Sequence, residues 1–289
     1  MQIFISILIA AASFNYTTIG PAAQNSVVTL NQNDRAKALI RAAETGDTNT
    51  VKKLLAKGAN VNLADTRGMT PLMIASVQDH EDIVKTLIVA HAKINARDKL
   101  GCTALIAAAF MSHGSIVHVL IDGGADVNAR ANDGGTALMS AAQYGNLDCV
   151  TALIAAHADV SAADRLGNTA LMNAAFGPHA DFVKVLIAAR VKVNAKNREG
   201  LTALMDAAQV LETTSVKLLI AANANVNARD KFGLTALMYA AKNSDTTSVK
   251  LLVAAHADVN AKDNDGNTAL KLASSFDVKS ILRSTGAKE

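Results

Sequence analysis

A 33-residue repeat constrains this sequence more than any other feature. Thr recurs seven times at that interval, and each of these Thr residues has a Gly two positions before it and a Leu two positions after it. The seven are Thr70, Thr103, Thr136, Thr169, Thr202, Thr235 and Thr268. Because the interval never varies, each repeat is a building block of fixed length. One such block cannot bury an apolar face alone, so neighbouring blocks are predicted to stack.

Each repeat carries the signals for a tight turn followed by two short helices. Asp at the first position and Gly at the fourth, as in Asp65 and Gly68, predict a type I turn. The Thr that follows predicts a helix N-cap, and Pro71 occupies the favoured first helical position. Val84 and Leu87 mark the buried stripe of a second helix. Aromatic residues make up only 3% of the chain, which also favours closely packed helices over a β-sandwich.

In chain order, the fixed residues are D-x-x-G-x-T-P/A-L-x-x-A-A, then V-x-x-L, then G/H-A-D-V-N-A. This order resembles the ankyrin repeat. The resemblance implies an all-α solenoid of stacked helix-turn-helix units with hairpin-like tips, and a role in binding other proteins. We predict a repeat domain over residues 34–287. Its capping repeats are 34–64 and 263–287, and its full repeats are 65–97, 98–130, 131–163, 164–196, 197–229 and 230–262.

The sequence departs from the family pattern after the second helix, where ankyrin repeats favour Gly. His91, His157 and His256 stand at that position in three repeats. His tolerates the left-handed backbone conformation better than most residues, which explains its use there. Histidines two repeats apart are separated by about 16–20 Å and cannot share one metal ion. We therefore expect neither a metal site nor a cofactor.

The N-terminal residues do not follow the repeat. Residues 3–12 form an apolar run interrupted only by Ser6, too short to span a bilayer as a helix. The run matches the central region of a secretory signal peptide, although the first basic side chain is Arg35. The predicted segments are a signal peptide at 1–23, cut between 12 and 23, and a polar linker at 24–33. An exported protein, periplasmic or secreted, follows from this prediction. The alternative is a cytoplasmic protein in which the run is a buried strand or helix turn.

No catalytic motif is recognisable in the sequence. It lacks a glycine-rich phosphate loop, a GxSxG nucleophile elbow and a complete HExxH zinc motif. Repeats of constant length leave no inserted loop in which to build a closed pocket. We therefore expect neither an enzyme nor a small-molecule substrate. Cys102 and Cys149 are too few for a disulfide scaffold and lack zinc-site spacing, although a bridge between them remains an open alternative.

The repeats differ most at their turns and first helices, the positions that line the groove of an ankyrin-like solenoid. Basic side chains recur around the turns, namely Arg97, Lys99, Arg130, Arg165, Lys196, Arg198, Arg229 and Lys231. The third turn position is apolar in every second repeat, at Leu100, Leu166 and Phe232. Large side chains also recur late in the first helix, at Phe110, Met111, Tyr144 and Phe176. These residues predict apolar anchors about 16–20 Å apart, framed by cations and suited to an extended, acidic partner protein.

Two alternatives to this surface remain open. The net charge is only +3, and Asp98, Asp164 and Asp230 offset part of the basic edge, so charged turns could simply keep the array soluble. An anionic ligand, such as a glycan or nucleic acid, could instead bind the basic edge, with an affinity that falls steeply with salt. We predict a non-catalytic protein-binding scaffold, with the anionic ligand as the alternative.

Overall fold

A computed structural model describes residues 31–144 and 146–288 of the chain. In these residues the protein forms 16 α-helices and one isolated antiparallel bridge, between Ala163 and Thr169. The predicted all-α fold class is confirmed. None of the helices in these ranges is long and apolar enough to cross a membrane. The predicted signal peptide at 1–23 lies outside the described residues, as does most of the predicted linker at 24–33.

Two compact units make up the chain, with the division after Ala137. The N-terminal unit contains three helix pairs, α1 (Gln32–Thr45) with α2 (Thr48–Ala56), α3 (Pro71–Val77) with α4 (Glu81–Val89), and α5 (Ala104–Phe110) with α6 (Gly114–Asp122). The C-terminal unit contains five pairs, α7 (Ala137–Tyr144) with α8 (Leu147–Ala155), α9 (Ala170–Ala175) with α10 (Ala180–Ala188), α11 (Ala203–Gln209) with α12 (Thr213–Ala221), α13 (Ala236–Lys242) with α14 (Thr246–Ala254), and α15 (Ala269–Leu272) with α16 (Phe276–Ser284). First helices of successive pairs pack on one another, α1 on α3 and α3 on α5 in the N-terminal unit, and α9 on α11, α11 on α13 and α13 on α15 in the C-terminal unit.

The first helix starts earlier than the sequence predicted. Asn31 accepts a hydrogen bond from the Asp34 backbone N–H through its side-chain oxygen, at 2.9 Å. This cap satisfies one of the free N–H groups at the start of α1 and lets the helix begin at Gln32. The last two residues of the predicted linker are therefore helical.

The predicted turn folds as a small hairpin, which we call the tip of the repeat. In the repeat at 164–196, the Gly167 N–H donates to the Asp164 carbonyl at 3.0 Å, and the Asp164 N–H donates to the Asn168 carbonyl at 2.9 Å. Gly167 has a φ of 82°, in the left-handed region that favours glycine. The Asp164 carboxylate accepts from the N–H groups of Leu166 and Asn168, both at 2.8 Å. The Asp of the motif thus fixes the loop that it begins.

The predicted caps and the core also form as expected. Thr70 accepts a hydrogen bond from the Met73 N–H through its hydroxyl, at 3.3 Å, and Pro71 is the first helical residue. Leu72, Val84 and Leu87 are buried at the centre of their helix pair. The predicted left-handed conformation after the second helix is confirmed, with φ values of 60°, 63° and 62° at His91, His157 and His256.

Candidate functional site

Successive tips are joined by backbone hydrogen bonds within each unit. In the N-terminal unit, the Lys99 N–H donates to the Arg67 carbonyl at 3.1 Å and the Asn132 N–H donates to the Leu100 carbonyl at 2.8 Å. The equivalent bonds of the C-terminal unit run from Arg198 to Leu166, from Lys231 to Glu199 and from Asn264 to Phe232, at 2.8, 2.8 and 2.9 Å. The side chains at the tips are therefore displayed on a hydrogen-bonded edge rather than on independent loops.

Two of the three predicted apolar anchors are exposed on this edge. Leu166 is 60% exposed and Phe232 is 56% exposed. Leu100 is half-buried at its own tip. Since large apolar side chains gain from leaving water, the exposed pair in the C-terminal unit is the better candidate for partner contact.

The large side chains late in the first helix differ in their exposure. Tyr144 and Phe176 are exposed, and Met111 is half-buried. The prediction for Phe110 is wrong, because its side chain is only 7% exposed and packs in the core. Every residue of α5 is buried, Phe110 included, whereas Phe176 lies directly after α9 and is exposed.

All eight predicted basic side chains are exposed, and three of them have identified contacts with the array itself. The Lys196 ammonium group donates to the Arg229 carbonyl at 2.8 Å, and the Arg229 guanidinium group donates to the Lys262 carbonyl. Lys231 pairs with the Glu199 carboxylate and lies 4.9 Å from the centre of the Phe232 ring. Part of the basic edge thus ties neighbouring repeats together.

Sequence reasoning missed a second set of candidate residues, at the fourth position after the capping Thr. This position is apolar and buried in two repeats of the N-terminal unit, at Ile74 and Ala107. It is polar in four repeats of the C-terminal unit, at Ser140, Asn173, Asp206 and Tyr239. Alignment of the repeats on their Thr residues would have shown this change from apolar to polar side chains.

Two of these residues, Asp206 and Tyr239, have raised pKa values. The Asp206 side chain is 7% exposed, and burial raises the pKa of its carboxyl to about 7. The Tyr239 hydroxyl donates to the Asp230 carboxylate at 2.7 Å. Burial, this hydrogen bond and the carboxylates of Asp230 and Asp206 all raise the pKa of the Tyr239 phenol. On the preceding first helix, the Asn173 amide donates to the Met139 carbonyl at 3.1 Å.

Both cysteines of the chain lie in the part that the structure describes. Cys102 and Cys149 are both free and buried, and burial raises the pKa of the Cys102 thiol to about 12. A thiol with a raised pKa is a poor nucleophile at neutral pH. Residues 31–144 and 146–288 contain no group of three His, Cys, Asp or Glu side chains arranged to hold a metal ion.

Stacked helix pairs joined by hydrogen-bonded tips define the class of this molecule, an α-helical repeat protein. The family model described as ankyrin repeats in three copies matches residues 7–98, 86–164, 157–230 and 211–287. The matches span most of the chain, which therefore belongs to the ankyrin-repeat family. A search among curated proteins found no match. Ankyrin repeats are generally protein–protein interaction modules, and the family is typically non-catalytic.

Proposed function

We propose that this protein is a non-catalytic scaffold that binds a partner protein through its tips and first helices. The observation that carries the proposal is the exposure of Leu166 and Phe232 on the tip edge of the C-terminal unit. Between them in the chain, the third turn position is occupied by the charged residue Glu199. Apolar side chains within a charged frame are typical of the anchors that dominate protein interfaces.

The exposed cations around these anchors also support an extended partner with acidic groups. Arg165 and Arg198 are exposed in the turns that carry Leu166 and Glu199. Opposite charges across the rim of an interface increase the rate of association and fix the register of the partner. The anionic-ligand alternative has less support, because Lys196, Arg229 and Lys231 already contact the array.

Replacement of both Leu166 and Phe232 by Ser tests the proposal. The tagged full-length protein would be crosslinked in its own cell and the captured partner quantified. We expect the double variant to capture at least about tenfold less partner, since each anchor contributes on the order of 1–2 kcal/mol.

The matched control replaces Val89 and Phe276 by Ser. These side chains are also exposed, but they lie on second helices, Val89 at the end of α4 and Phe276 at the start of α16. Equal loss of capture in both double variants would contradict the proposal. Capture that disappears on addition of salt, and that is insensitive to the loss of both anchors, would favour the anionic-ligand alternative.

We also propose that the protein acts after export, on the basis of the apolar run at residues 3–12. The family match begins at residue 7, inside this run. N-terminal sequencing of the protein from its own cell decides between the two assignments of the segment. A chain that starts between residues 13 and 24 is expected after export, whereas an intact Met1 in the cytosol would contradict it.

A further inference from the structure

Asp206 differs from the other buried aspartates of the described chain. Asp230 accepts hydrogen bonds from the N–H groups of Phe232 and Leu234, at 2.9 and 2.8 Å, in addition to the Tyr239 hydroxyl. Asp245 is equally buried and accepts from two backbone N–H groups of its own helix. No described residue donates a hydrogen bond to the Asp206 carboxyl group. A buried carboxylate without a partner is strongly unfavourable, so this group is incompletely satisfied in the free protein.

The Asp206 carboxyl group keeps a small contact with solvent. In the described residues, the buried side-chain oxygens that have neither a partner nor solvent contact belong to Ser215 and Ser248. The Asp206 oxygens are not among them, so they keep a small contact with solvent. The carboxylate is therefore not fully sealed inside the helix pair.

The groups around Asp206 can accept hydrogen bonds and carry no positive charge. Asn173 and Tyr239 lie at the same repeat position on α9 and α13, the two first helices that pack against α11. The Asn173 amide nitrogen and the Tyr239 hydroxyl both donate elsewhere, so their oxygens remain available as acceptors. Lys242, at the exposed end of α13, is the only cation in these three helices.

We infer that Asp206 receives an arginine side chain of the partner protein, with Asn173 and Tyr239 as flanking acceptors. The inference rests on the proposed function for the existence of that partner. An arginine fits better than a lysine, because its planar guanidinium group presents several donors to one carboxylate and is less strongly hydrated than an ammonium group. An acidic partner can carry this arginine at the point where it crosses the first helices.

Titration of the full-length protein with ethylguanidinium, the arginine side chain without its backbone, tests the inference directly. The backbone amide resonances of Asn173, residue 206 and Tyr239 would be followed by NMR at pH 8 and pH 6. We expect saturable shifts at pH 8, and weaker shifts from ethylammonium.

The pH dependence supplies an independent signature. Because burial raises the pKa of Asp206 to about 7, the carboxylate is mostly protonated at pH 6, and binding should be about tenfold weaker there than at pH 8. Tyr239 and Asp230 are the neighbouring titratable groups. The raised pKa keeps the Tyr239 phenol protonated at both pH values.

Asp206→Asn keeps the shape of the side chain and removes its charge, so it should abolish the response. Asp181→Asn is the matched control, because Asp181 is an exposed aspartate on α10, the second helix of the preceding pair. No saturable shift up to about 100 mM ethylguanidinium, or equal binding by Asp206→Asn, would overturn the inference. This titration needs no partner, so its failure is distinct from a failure of the capture experiment.

Discussion

At the scale of single residues, two buried serine side chains lower the stability of the described chain. Ser215 and Ser248 are fully buried at the same position of α12 and α14, and their hydroxyl oxygens have no hydrogen-bond partner. The equivalent side chains in α4 and α6 are Ile83 and Ile116. We expect Ser215→Ala to increase the free energy of unfolding by about 1–2 kcal/mol, because a buried hydroxyl without a partner costs that much. Urea unfolding of the full chain measures the change.

Ser76→Ala is the control for this prediction. Ser76 is also fully buried, but its hydroxyl donates to the Leu72 carbonyl at 2.7 Å. Its replacement should lower the free energy of unfolding by about 1 kcal/mol. If both alanine variants changed stability in the same direction, the missing partner at Ser215 would not explain its effect.

At the scale of structural elements, two glycine substitutions separate the contribution of tip stacking to stability from that of the turn conformation. A Cβ added to Gly167 would lie 2.9 Å from the Asn197 Cα of the next tip, whereas one added to Gly266 would meet no atom within 4 Å. Both residues have a left-handed φ, at 82° and 79°. Gly266→Ala should therefore cost about 1–2 kcal/mol of stability for backbone conformation alone.

Gly167→Ala should cost about 1–3 kcal/mol more than Gly266→Ala, because it also pushes neighbouring tips apart. Chemical unfolding of the two variants gives the difference. Similar losses in both would mean that the stacked tips move apart freely, in disagreement with the hydrogen bond from Arg198 to Leu166.

The parts of each element that the sequence predicted correctly depend on residues close in the chain. The Asp164 turn and the Thr70 cap form because donor and acceptor are at most four residues apart. Burial at the end of the first helix differs between repeats, and the repeat pattern does not specify it. Phe110 and Phe176 occupy the same repeat position, yet one is buried and the other exposed. Because the two residues share one repeat position, the sequence alone predicted the same role for both.

At the scale of the whole molecule, the candidate site was harder to predict than the fold. The 33-residue period predicts the helix pairs, and the same sequence signals recur in each repeat. The lack of a hydrogen-bond donor at Asp206 is a feature of one repeat only. It depends on which groups α9 and α13 present to α11. The sequence shows that an Asp replaces an apolar residue, but only the packed structure shows that no donor faces it.

Asp206 should also make the stability of the protein depend on pH. Its pKa is about 7 in the folded protein and about 3.9 for an unfolded chain, so the folded state holds the proton more tightly. The stability gained from this proton is complete below pH 4 and is lost as the pH rises through 7. This difference between the folded and unfolded pKa corresponds to about 4 kcal/mol. Asp206→Asn cannot titrate, so it should match the native protein near pH 4 and exceed its stability by up to about 4 kcal/mol at pH 8.

Urea unfolding at a series of pH values measures this difference directly. All other carboxyl groups are shared by the two proteins, so their contributions cancel in the comparison. Asp181→Asn should follow the native protein at every pH, because that aspartate is exposed. A stability difference between Asp206→Asn and the native protein that stays constant from pH 4 to pH 8 would show that the buried carboxyl does not hold its proton. A difference that grows with pH means that the free protein retains an unpaired charge at a cost to its own stability, which is the condition under which a cationic partner group gains most by binding there.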